Sequence, residues 1–63
     1  MELLERAQQL FQQPLTIDSL RELDRLTRVS IGTEAALLTS LWEVALISAS
    51  EAVLEQAMDE GLL

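Results

Sequence analysis

The sequence predicts an all-α fold, and three observations predict it. Apolar residues recur at spacings of three and four along most of the chain, Thr and Asp stand where those stretches begin, and two glycines and one proline in 63 residues leave little room for loops. The predicted architecture is a broken helical hairpin of three helices, over about residues 2–13, 17–30 and 34–60. It forms a single small domain covering residues 1–63.

Helix one rests on Leu3, Leu4, Ala7, Leu10 and Phe11, which fall at i, i+3, i+4 and i+7 spacings on one side. Glu2 and Arg6 stand four apart in the favourable order. Pro14 ends the helix, because it disfavours α geometry at Gln13 and has no amide proton to donate.

Helix two starts from Thr16 as N-cap, with Asp18 in the first turn and Leu15 placed to staple onto Leu20. Its apolar residues, Ile17, Leu20, Leu23, Leu26 and Val29, are spaced by three throughout. Three residues turn 300°, so this stripe drifts around the helix and predicts a wrapping or crossing path over its neighbour. Ser30 marks its end, and Gly32 is expected to supply the left-handed C′ position.

Helix three is expected to start at Thr33 as N-cap, with Glu34 as its first-turn acid, and to run unbroken to Gly61. That is about 27 residues, or roughly 40 Å. Helices one and two would lie end to end against it. Leu38, Leu41, Trp42, Ala45, Ala49, Ala52 and Val53 form the inward stripe. A second apolar row follows Ile47, Leu54 and Met58, with Leu37 and Val44 on its flank, and only Glu43 is charged between Ala35 and Ala49. Either helices one and two cover most of this second row, or it is an interface; the second reading names Leu37, Val44, Ile47, Leu54 and Met58 as partner-facing residues.

Size and the missing staples favour association. A chain this short buries only about 60 % of the surface its unfolded form exposes, and the absence of Cys and His removes disulfides and zinc as staples. A dimeric helical bundle is the expected remedy. Eleven acids against four arginines give a net charge of −7, which disfavours nucleic acid and anionic membranes as partners. No stretch reads as a membrane span. The start, Met1-Glu2-Leu3-Leu4-Glu5, lacks the positive region of a signal peptide, so a cytoplasmic location is expected.

Charge is also segregated: Arg21, Arg25 and Arg28 form a basic stripe on helix two, and Glu51, Glu55 and Asp59 an acidic one on helix three. They are either ordinary solvated faces or a register pair orienting the two helices. No His, Cys or Lys is available as base or nucleophile, so no catalytic residue is assigned and the chain is expected to be non-enzymatic. Neither cofactor nor metal is expected, since no acidic group has EF-hand spacing.

One short string carries a resemblance. Leu15-Thr16-Ile17-Asp18-Ser19-Leu20 resembles the Asp-Ser-Leu site of acyl and peptidyl carrier proteins, which implies phosphopantetheine attached at Ser19. Carrier proteins have a long loop before this site and an acidic second helix, whereas here Pro14 to Ile17 alone precede it and Arg21, Arg25 and Arg28 follow. Helix capping accounts for the same letters.

In size and broken-hairpin shape the chain also looks like the small helical co-chaperones of bacterial secretion systems and the docking modules of multienzyme synthases. The function expected is therefore a small acidic adaptor, chaperone or assembly factor, dimeric or bound to another protein through an apolar face of helix three. The alternatives are an acidic, antitoxin-like inhibitor that masks a basic surface, and the carrier.

Overall fold

The computed structural model describes residues 1–63 and contains four helices: α1 (Glu2–Leu10), α2 (Ile17–Val29), α3 (Gly32–Ser48) and α4 (Glu51–Asp59). The all-α class holds. The single helix expected over 34–60 does not, because the chain bends at Ala49 and Ser50. The longest dimension of the molecule is 31 Å, which could not contain the roughly 40 Å of an unbroken third helix.

Helix α1 begins without a side-chain cap from its own N-terminal residue, Met1. The acceptor comes from another helix. A carboxylate oxygen of Glu34 on α3 accepts the Leu4 amide at 3.1 Å, covering one of the amides that a helix start leaves without a partner. Glu34 lies in the first turn of α3, as expected, but its carboxylate also serves a helix thirty residues away in the chain. At the other end α1 closes at Leu10, short of residue 13. Phe11 and Gln12 donate to Gln8 and Gln9 in tight i−3 turns, and Pro14 keeps the chain extended beyond them.

Helix α2 organises the rest. Thr16 caps it as expected: its hydroxyl accepts the Ser19 amide at 3.2 Å, and the Ser19 hydroxyl accepts the Thr16 amide at 3.1 Å. Leu20, Leu23 and Leu26 are essentially fully buried. At steps of three residues they spread over about 120° of the helix circumference, with Ile17 on one flank and Val29 carried round to the solvent side. An arc that wide cannot be covered by one neighbour, and α2 packs against α1, α3 and α4. Leu38, Ala7, Ala45 and Ala57 complete the fully buried set, so leucines are its only large members.

The α2–α3 corner departs from expectation in its details. Ser30 and Ile31 are extended, and Gly32 is left-handed at φ +63°, but it opens α3 instead of following α2 as its C′ residue. The N-cap of α3 is Ile31, without a side-chain bond, not Thr33. Two extended residues turn the chain here, so α2 ends without the left-handed closure that glycine usually supplies.

The bend between α3 and α4 has a clear local cause. Ser50 leaves the helix and its hydroxyl accepts the Val53 amide at 3.3 Å, starting a new helix with Glu51 in its first turn. The bend turns α4 back onto α2, where Ala57 is wholly buried and Val53 and Leu62 pack against the core. The C-terminal end of α4 is closed by backbone bonds. Gly61 is left-handed at φ +79°, its amide donates to Met58, and the Leu62 amide donates to Ala57 at 2.9 Å, a Schellman closure. No helix is long and apolar enough to cross a membrane.

Candidate interaction surface

The bend redistributes the second apolar row. Leu37, Val44 and Ile47 remain together on the outer side of α3, exposed by 40 %, 47 % and 85 %. Met58 is exposed as well, but on the outer side of α4, where helical spacing puts it among Glu51, Glu55 and Asp59. Leu54 is half-buried and lies one turn before Met58 on α4. The row of Ile47, Leu54 and Met58 therefore does not exist as a line, because two extended residues at the bend reset the helical phase.

The outer side of α3 is more apolar than its sequence suggests. Its exposed members include Thr33, Ala36, Leu37, Ser40, Val44 and Ile47, and its one charge is Glu43. The Ser40 hydroxyl donates back to the Ala36 carbonyl at 3.3 Å, and on the flank Thr39 does the same to Ala35 at 2.9 Å. These hydroxyl protons are directed at the helix backbone, away from solvent. The helix's other acid, Glu34, is turned inward to Leu4. A strip of small and aliphatic side chains about 25 Å long is left facing water.

Charge is distributed the opposite way. Every arginine is engaged within the chain: Arg6 with Glu2, Arg25 with Glu22, Arg28 with Asp24, and Arg21 with both Asp18 and Glu60. The basic stripe of α2 thus pairs mainly along its own helix. Its one link to α4 runs from Arg21 to Glu60, at 2.8 Å from Nε, and not to Glu51, Glu55 or Asp59. The Arg21 hydrogen bond holds the Glu60 carboxyl below the usual carboxylate range, and Arg25 does the same for Glu22. Glu51, Glu55 and Asp59 form no ion pair and leave the outer side of α4 acidic.

Ser19 sits at the third position of α2, half-buried, with its hydroxyl in the capping box. One cleft of about 120 Å³ opens between Asp24 and Thr27 of α2, Thr39 and Trp42 of α3, and Leu62. It is well below the roughly 300 Å³ at which ligand pockets begin, and its polar groups are committed: Asp24 to Arg28, Thr27 to the Leu23 carbonyl, and Thr39 to Ala35. No three acidic side chains converge where a metal ion could sit. Trp42 lines this cleft half-buried, so the lone indole belongs to the α2–α3 seam and not to the outer side of α3.

Sequence reasoning missed Ile31, exposed by 85 % at the α2–α3 corner. The signal was available in principle: an isoleucine directly before a left-handed glycine has no helix to bury it. Comparison with protein-family models, with curated proteins and with solved structures finds no match.

Proposed function

We propose that this chain is a non-enzymatic protein–protein interaction module that works through the outer side of α3, and that its partner there is a second copy of itself. The observation that carries the reading is the contrast between α3 and the rest of the surface. Eleven acids give the chain a net charge of −7, yet the exposed side of α3 holds one of them, Glu43. Two copies meeting along α3 would bury Leu37, Val44 and Ile47 while keeping most like charges apart. In this reading the module acts as a small adaptor, chaperone or assembly factor.

Sedimentation equilibrium tests it with the native chain and Val44→Glu/Ile47→Glu. Both positions are exposed, so the double variant is expected to fold and to remain monomeric where the native chain associates in the micromolar range. A native chain that stays monomeric to about millimolar concentration would defeat the self-association reading.

A second reading draws on a different observation. Glu51, Glu55 and Asp59 are free of intrachain ion pairs and surround an exposed Met58, which suits a basic partner with an apolar anchor. That arrangement supports an inhibitor that masks a basic surface through α4.

A further inference from the structure

We infer that two copies of this chain associate by exchanging α4, with the Ala49–Ser50 bend straightening so that α3 and α4 become one helix and each α4 docks on the partner's α2. The inference rests on the self-association reading above and specifies how it is achieved.

The bend is conformationally close to a helix. Ala49 has φ −70° and ψ 151°, and Ser50 has φ −69° and ψ 159°. Both φ values are already helical, so rotation of two ψ angles separates the bent chain from the straight one. Neither residue is Gly or Pro, and Ala is the strongest helix former. Straightening would pair the amides of residues 50–52 with the carbonyls of residues 46–48, none of which has a helical partner across the bend. The bent form gains the Ser50 cap instead.

What holds α4 in place can be supplied equally by a second copy. The neighbour of α4 is α2, against which Ala57 is buried and to which Glu60 is tied through Arg21. In a symmetric exchange each of these contacts re-forms between copies, which makes exchange of an identical element a low-cost route to a dimer. The straight helix of residues 32–59 would be roughly 42 Å long and would carry α4 clear of its own α2. Ile47, exposed by 85 % one turn before the bend, stands where two such helices would cross.

Area points the same way. Exchange adds both α4–α2 interfaces to whatever the α3 strip buries between two copies, which moves the contact toward the size class of stable dimers.

Two substitutions in the full chain move the bend in opposite directions. Ser50→Ala removes the cap that stabilises the bent form. One cap is worth roughly fivefold and a dimer loses two, so the dimer should tighten by about 25-fold. Glu51→Pro keeps the Ser50 cap and puts proline at the first position of α4, where it is well tolerated, after a residue already extended. Proline there is incompatible with a continuous helix, so the dimer should weaken by at least about a thousandfold. Circular dichroism would verify that both variants keep the helical content of the native chain.

Opposite shifts of this size, read by sedimentation equilibrium, support the exchange. Equal dissociation constants for all three chains would overturn it and leave a dimer that pairs along α3 without exchange. Absence of association in all three would overturn both the exchange and the self-association on which it rests.

Discussion

Replacing Leu23 by Ala is the most direct test of how this core is built. Leu23 is 1 % exposed and lies at the middle of the arc that α2 presents to the other three helices. Its flanking residues, Leu20 and Leu26, are fixed on the same helix about 60° to either side, so the space left by the truncation cannot be filled by a small shift of either. Leucine-to-alanine changes at such sites cost about 2–5 kcal/mol. A 63-residue domain has a total stability of roughly 3–9 kcal/mol, so a loss of about 3 kcal/mol removes a third of it or all of it. With an unfolding entropy of about 0.13 kcal/mol/K for this length, the same loss lowers the melting temperature by about 20 °C. The assay is thermal unfolding followed by far-ultraviolet circular dichroism, with Val29→Ala as control. Val29 continues the same three-residue spacing but is exposed by 57 %, and its truncation should move the midpoint by no more than about 4 °C. Equal shifts for the two variants would refute the argument that drift of the stripe sorts buried from exposed positions on α2.

The Arg21–Glu60 and Arg25–Glu22 pairs predict an acid-dependent loss of stability. Both carboxyls are held below their ordinary value in the folded chain, so their contribution is full above the ordinary carboxylate value of about 4.3 and is lost as pH falls through the lower folded values. Urea unfolding should therefore be flat from neutral pH to about pH 5 and weaken below about pH 4.3, with a shallower decline in Glu60→Gln. An unchanged pH profile in that variant would count against the clasp. Glu34→Ala should cost about 1 kcal/mol by uncovering the Leu4 amide, and amide exchange should quicken in α1 before α4. Loss confined to α3 would show instead that Glu34 serves its own helix.

Local capping chemistry was readable at Thr16, which adjoins the helix it serves, but not at the α2–α3 corner, where Thr33 and Gly32 do not take the cap positions their types suggest. Thr16 as N-cap and the apolar spacing of α2 needed only nearby residues, and both are found as expected, while the return bond from Ser19 is an addition the structure makes. Glu34 was not readable in the same way, because its bond joins positions thirty apart and depends on how α1 approaches α3. The bend at Ala49 and Ser50 lies between these cases. Ser50 followed by Glu51 is a helix-start signal, but the apolar spacing continues smoothly across it and alanine favours continuation. Local preference there is nearly balanced, and the decision falls to tertiary packing. The expected second apolar row was divided accordingly: Leu37, Val44 and Ile47 precede the bend and stay on one side, while Leu54 and Met58 follow it and are re-aimed.

The reason the packing favours the bend leads back to α2. Leucines spread over about 120° of that helix exceed what α1 and α3 can cover, and part of the arc would face water if α4 continued straight. Folding α4 back covers it with a residue as small as Ala57, which lets the two backbones approach closely. The demand comes from the surface of α2, which α4 touches, more than from the connection, where Ser50 is exposed and Ala49 only half-buried. A surface that must be covered, together with a covering helix on a nearly neutral hinge, does not specify which copy supplies the cover. In the exchange proposed above, the short tether between α3 and α4 would favour the chain's own helix at low concentration, and the local term at Ala49 and Ser50 and the apolar strip of α3 would decide between the two arrangements as concentration rises.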